Sequence, residues 1–196
     1  MLRPTINKEE IAKLPLCGFE GEVVVVDNIT RWQHWKEDIL SHDVLGFDTE
    51  TRPAFKKGQR NEVALIQLAT EHRAYLIRLN KTGFLPGLEK LFSSENRLKI
   101  GVGLRDDIRE LKRLYNFREK GFIDLQNYVR AFSIEDSSLV KITAIVMGCR
   151  ISKSQQLSNW EAAFLSEKQM RYAATDAWAA YMIYRKLQQF VTTDED

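Results

Sequence analysis

Asp48 and Glu50, separated only by Thr49, stand where the apolar run of "VLGFDTETRP" should end in a turn or a cap. On a strand, residues two apart project to the same face, so this segment brings two like charges to one spot. Further acids occur at two distant places. Asp106 and Asp107 follow the glycines of "GVGLRDD", and Tyr172 and Asp176 stand four apart in "YAATD", on one face if that segment is helical.

Carboxylates gathered in one place repel one another unless cations neutralise them. An all-oxygen donor set suits a hard divalent ion, Mg2+ or Mn2+, rather than zinc or copper. Two such ions about 3.5–4 Å apart suit an in-line phosphoryl displacement, one activating water and the other stabilising the leaving oxygen. Tyr172, one helical turn before Asp176, can hold the attacking water by its hydroxyl.

The elements that must position these residues follow from pattern. "EVVVVD", "VLGFD", "NEVALIQLAT", "RAYLIRL", "LKIGVG" and "GFID" read as strand segments. Helical spacing marks the stretch after the Asn28 or Thr30 cap, then "LPGLEKLFSS" and "RDDIRELKRLYNF". The last third reads as helices alone: "SSLVKITAIVMG", "SNWEAAF" and a long element opened by the Ser166/Gln169 capping pair. Asn7 and Glu10 mark a short helix near the N-terminus. Strands joined by short turns pair antiparallel and strands separated by helices pair parallel, so the pattern predicts an α/β domain with a mixed sheet flanked by helices. Asp107 then lies near the carboxyl end of a strand, where open α/β sheets place their ligands.

A chain of 196 residues, 44% apolar and 29% charged, predicts one domain over 1–196, with a core over about 22–190, a short N-terminal extension and an acidic tail. No stretch reaches the roughly 18 apolar residues of a membrane span, and the charged N-terminus does not read as a signal peptide, so no membrane partner and a cytoplasmic location are expected. Cys17 and Cys149 lie far apart without ligand spacing and read as ordinary reduced thiols. A formal net charge of +2 does not by itself imply a polyanionic partner. Locally, however, "TRPAFKKGQRN" carries Arg52, Lys56, Lys57 and Arg60 and no acid, directly after the Asp48/Glu50 pair.

Together "FDTE", the acid of "GVGLRDD" and "YAATD" resemble the three motifs of the DEDD 3'-5' exonucleases, in the branch whose third motif is Tyr-x-x-x-Asp. The likeness is closest to Werner-type exonuclease domains and more distant to ribonuclease D, runs from about Glu22 to Phe190, and includes "VALIQL", "GVG" and "LSNW". It implies a ribonuclease-H-like fold with a mixed five-stranded sheet and two divalent cations, Mg2+ or Mn2+. Asp48 would bridge the two ions, Glu50 and Asp176 would ligate the ion that activates water, and Tyr172 would position that water. The second-motif acid would be Asp107, followed four residues on by Leu111, in preference to Asp106. Thr51 resembles the residue whose backbone meets the terminal nucleotide. The expected substrate is nucleic acid with a 3' end, DNA ahead of RNA, cleaved to 5'-mononucleotides. The alternatives are a ribonuclease D-like RNA-processing enzyme and a catalytically silent nucleic-acid-binding module.

Taken singly, each feature has a plainer reading. Asp48 can cap a turn, Asp107 can complement its helix dipole, Tyr172 and Asp176 can be a surface pair, and the basic segment can be a solvated loop. Trp160 of "LSNW" reads as a packing residue rather than a base-stacking one. His34, His42 and His72 fit no motif. The three acidic motifs occurring together, in order, carry the reading.

Overall fold

A computed structural model describes residues 2–54, 56, 58 and 60–192, the last two by their backbone. A capping box between Asn7 and Glu10 starts helix α1 (Lys8–Lys13). The β-branched run forms β1 (Glu22–Val26), and the Asn28 side chain caps α2 (Ile29–Ser41), accepting from the Arg31 N–H at 2.9 Å. Then come β2 (Val44–Thr51), β3 (Val63–Ala69) and β4 (Arg73–Ile77). Two short helices, α3 (Leu79–Thr82) and α4 (Leu88–Phe92), lead to β5 (Leu98–Gly101), α5 (Leu104–Leu114) and β6 (Phe122–Asp124). Helix α6 (Leu125–Tyr128), a 3-10 turn (Val129–Phe132), α7 (Leu139–Met147) and the long α8 (Glu167–Thr192) complete the order.

Among the described residues the strands form one six-stranded sheet in the order β1-β4-β3-β2-β5-β6. The pairs β2/β3 and β3/β4 are antiparallel, whereas β1/β4, β2/β5 and β5/β6 are parallel. The mixed sheet matches expectation; the strand number does not, being six rather than five. The three-residue β6 lies at the edge, held to β5 from Lys99 to Gly101. "SNWEAAF" is also not a helix: it runs through turns and bends, because the buried Arg78 guanidinium donates to the carbonyls of Ala162 and Ala163.

Helix α8 lies across one face of the sheet. Its buried Ala173, Ala174, Ala177 and Ala180 let it sit close to the strands. At Gly46 the approach is so tight that a Cβ would come within 1.9 Å of the Ala177 carbonyl oxygen, so only glycine fits. The opposite face is covered by α2, α4 and α5 around Trp32, Phe47, Leu68 and Phe92. There the Phe47 ring meets Phe92 and Phe122 edge-on at 5.7 and 5.3 Å. Among the described residues no helix is long and apolar enough to cross a membrane.

The two cysteines are not free thiols. Cys17 and Cys149 form a disulfide with a Cα–Cα separation of 5.8 Å. Sequence separation concealed this pairing. The segments around Leu16 and Arg150 meet as an isolated parallel bridge, in which the Cys17 N–H donates to the Arg150 carbonyl at 2.9 Å and so aligns the two residues. A cross-link closing a loop with a sequence separation of 132 limits the unfolded chain severely, a stabilisation of about 3–5 kcal/mol in chain-entropy terms. The midpoint of denaturant unfolding is therefore expected to fall on reduction or in Cys149→Ser. Equal midpoints with and without reductant would show that the cross-link contributes nothing.

Candidate active site

Strand alternation places Gly46, Asp48 and Glu50 on the face covered by α8, and helical spacing brings Tyr172 and Asp176 down onto it. Asp48, Glu50, Tyr172 and Asp176 line one cavity of about 290 Å³, together with Thr49, Ser138, Ser152, Lys153 and Gln156. Asp176 is buried and the other three are half-buried.

Asp107 reaches the same centre from α5. It lies in the first turn of that helix, where the Thr49 hydroxyl donates to its Oδ1. The helix start is fixed by Asp124 at the end of β6, whose carboxylate accepts from the N–H groups of Gly103 at 3.0 Å and Leu104 at 3.1 Å. Gly103 itself has φ 73°, a left-handed conformation suited to glycine. Asp106, by contrast, points to solvent and pairs with Arg109 at 2.9 Å. Of the two adjacent acids, the structure brings Asp107 to the site.

Burial and mutual repulsion dominate the electrostatics. Asp48 holds its proton well above the ordinary carboxylate range, through burial first and then the charges of Asp176, Asp107 and Glu50; the Thr49 N–H, 2.8 Å from its Oδ1, pulls the other way. Burial, with Asp176 and Asp107 adding to it, pushes Glu50 up to about 8. Asp107 rises to about 6 by burial, against the hydrogen bond from Thr49. Asp176 rises to about 7 by burial, against the Tyr172 hydroxyl and the Lys153 charge. Burial and the neighbouring acids also raise Tyr172, so its phenol stays protonated and can donate or accept a hydrogen bond.

Among the described residues, no Lys or Arg forms an ion pair with any of these four acids. Nor do any three His, Cys, Asp or Glu side chains among them stand already closed into a metal site. The donor set nevertheless fits hard divalent cations. It is all oxygen and open to a cavity at Asp48, Glu50 and Asp176, where Lys153 bears on Asp176 by its charge without forming an ion pair.

The basic segment is only partly free for a substrate. Arg52 pairs with Glu161 at 3.2 Å, Arg60 pairs with Glu110 at 2.8 Å, Lys56 is exposed, and Lys57 lies outside the described residues. Thr51 is half-buried at the end of β2, just past a register shift at which β3 carries one extra residue, Ala64. Trp160 is fully buried, its ring 6.0 Å from that of Tyr172, which supports the packing reading. Sequence reasoning missed Lys153 and Gln156 in the cavity wall. Their only signal was their place in the loop just ahead of "LSNW". It also missed Thr49 as the partner of Asp107.

A mixed α/β sheet whose strand ends and overlying helix gather four acids and a tyrosine is the architecture of the ribonuclease-H-like nucleases. A family model described as 3'-5' exonuclease matches residues 23–192, and the chain belongs to that family. The mouse (Mus musculus) bifunctional 3'-5' exonuclease/ATP-dependent helicase WRN is 34% identical over 184 residues, which cover 89% of this chain and 13% of that protein. The crystal structure of the Nibbler EXO domain of Aedes aegypti superposes with a TM-score of 0.79 at 27% identity, covering 90% of this chain and 93% of that one. The structure of Trypanosoma brucei RNase D in complex with RNA U12 gives 0.76 at 17% identity, covering 86% and 63%, a likeness of fold. The chain spans less than two thirds of the length of the curated relatives it matches first.

Each acid of the cluster binds its proton more tightly folded than unfolded. From the ordinary carboxylate range near about 4 up to about 8, the folded state thus holds more protons than the unfolded chain, and stability falls as pH rises. Cation-free protein is expected to melt at lower temperature at pH 8 than at pH 5. Asp48→Asn should recover about 1 kcal/mol or more at pH 8, since a tenfold change in proton affinity corresponds to about 1.4 kcal/mol. Melting curves of both proteins across this range check the point; an unchanged pH dependence in Asp48→Asn would contradict it.

Proposed function

We propose that the protein is a divalent-cation-dependent 3'-5' exonuclease that hydrolyses the terminal phosphodiester of a nucleic acid, DNA ahead of RNA, and releases 5'-mononucleotides. The observation that carries this reading is the convergence of Asp48, Glu50, Asp107 and Asp176 on one centre where, among the described residues, no Lys or Arg is ion-paired to them and only the Lys153 charge bears on Asp176. Preference for DNA is supported by the 34% identity to an exonuclease joined to a helicase. The RNA reading has a specific observation in its favour too, the shared fold of an RNase D with RNA bound.

Asp48, Glu50, Asp107 and Asp176 would hold two cations, Mg2+ or Mn2+; when bound, these lower the pKa of the attacking water and stabilise the departing 3' oxygen. Asp48 would serve both cations, and Glu50 and Asp176 would serve the one whose water Tyr172 orients. The Tyr172 hydroxyl, one helical turn before Asp176 and in the same cavity, would orient the water for in-line attack on phosphorus. The bond from phosphorus to the penultimate 3' oxygen breaks, and the phosphate stays on the released nucleotide. Thr51 and Arg52 follow the Asp48/Glu50 pair directly along the chain, and together with Lys56, Lys57 and Arg60 of the same segment would steer the backbone of the strand.

Digestion of labelled single-stranded DNA, recessed duplex and RNA with either cation tests the reading. Asp48→Ala is expected to lower the rate by about a thousandfold or more, as loss of an electrostatic catalytic group does, with the fold intact by circular dichroism. Equal digestion by Asp48→Ala and the parent protein would overturn the proposal. Tyr172→Phe should reduce kcat more than KM, by about 10²-fold on the scale of a positioned proton or water contact.

A further inference from the structure

Gln67 is fully buried, and neither its Nε2 nor its Oε1 has a hydrogen-bond partner among the described residues. A buried amide without a partner costs about 1–3 kcal/mol, so its persistence in the middle of a seven-residue, wholly buried strand needs a reason. The neighbours on its own strand and face, Leu65 and Ala69, are apolar, and so is Leu76 across on β4. A leucine would fill the same place without an unmet polar group.

The register supplies the reason. Gln67 stands directly opposite Asp48 in the antiparallel β2/β3 pair, and opposite residues project to the same face. Their Cβ atoms are then about 4.5–5.5 Å apart, a gap that the two further carbons of a glutamine side chain can span. Asp48 Oδ1 already accepts from the Thr49 N–H at 2.8 Å, which leaves Oδ2 to be oriented. Helix α8 lies over this face, as the fit of Gly46 against Ala177 shows two pairs along the ladder. The amide is therefore enclosed beside the central carboxylate of the site.

We propose that Gln67 is a positioning residue for Asp48: when the carboxylate faces a divalent cation, the Gln67 Nε2–H donates to it, fixing the rotation that presents its oxygens to the cavity. Hydrogen bonds to ligating carboxylates have this effect in metal sites generally, and removing one lowers metal affinity by about 10–100-fold. The inference rests on the reading of Asp48 as a cation ligand.

Calorimetric titration of the full chain with Mn2+, together with melting of the cation-free protein, tests it in Gln67→Leu and in the longer, more flexible Gln67→Met. Both variants are expected to melt at or above the parent's temperature without cation, because an unpartnered amide has been removed. Both should bind Mn2+ about 10-fold or more weakly, and lose kcat on a DNA oligonucleotide with KM unchanged. Parent-like Mn2+ affinity in a folded variant would overturn the proposal. So would a loss of cation-free stability in both variants, which would mark the amide as a packing element. If the parent itself gave no Mn2+ heat, the reading of Asp48 as a ligand would fall instead, and the two failures are thereby distinguished.

Discussion

Repulsion among four carboxyl groups held in one weakly solvated place is the constraint around which this structure is built. Left to relax, such groups would separate into water. Each is denied that freedom by a different element. Asp48 and Glu50 ride on an interior strand of the sheet and cannot move apart from each other. Asp176 is fixed by a helix whose alanines are seated on that strand, and Asp107 by a helix whose first N–H groups are clamped by Asp124. The folded state therefore carries a local destabilisation that the surrounding packing must offset, a pattern expected of sites prepared for a ligand.

The support behind the acids is correspondingly stiff. Arg78 is itself buried and ties down the chain at Ala162 and Ala163, which keeps Trp160 packed beneath Tyr172. If Tyr172 orients a water, as proposed, such a backing serves it by holding the side chain in one rotamer about its Cα–Cβ bond, and so its hydroxyl in one place. The Cys17–Cys149 bond acts at the other wall of the cavity. It anchors the segment that continues through Ile151, Ser152 and Lys153, three residues that line the space facing Asp176.

Much of this was legible in the sequence because it depends on periodicity and local chemistry. Period two put Asp48 and Glu50 on one face, period 3.6 did the same for Tyr172 and Asp176, and short turns against helical crossovers gave the mixed sheet. What could not be read depends on distant residues meeting. The Cys17–Cys149 pairing rests on a bridge between segments more than a hundred residues apart, and "SNWEAAF" lost its helix to Arg78, a contact from the other half of the chain. Gln67 looked like one polar interruption in a strand until the register set it opposite Asp48. Motif spacing favours Asp107 over Asp106 as the second-motif acid. Geometry separates them, one meeting Thr49 inside and the other Arg109 outside.

A second buried charge in the same sheet shows that the unmet acids are not a general looseness of this fold. Lys99 on β5 has no exposed surface, yet its ammonium lies within hydrogen-bond reach of the carbonyl oxygens of Leu91, Ser94, Arg97 and Lys120, at 2.8, 3.0, 2.6 and 2.6 Å. Burial still lowers its pKa to about 8, but every proton on the nitrogen has an acceptor. At Lys99 the chain surrounds a buried charge with partners of its own. The acids of the site are supplied less fully: Asp48 accepts from the Thr49 N–H and Asp107 from the Thr49 hydroxyl, while Asp48, Glu50 and Asp176 face a cavity. Under the proposed function, divalent cations would supply the positive charge that Lys153 alone does not, and a centre so neutralised would accept a phosphodiester, whose own negative charge the bare acids would repel.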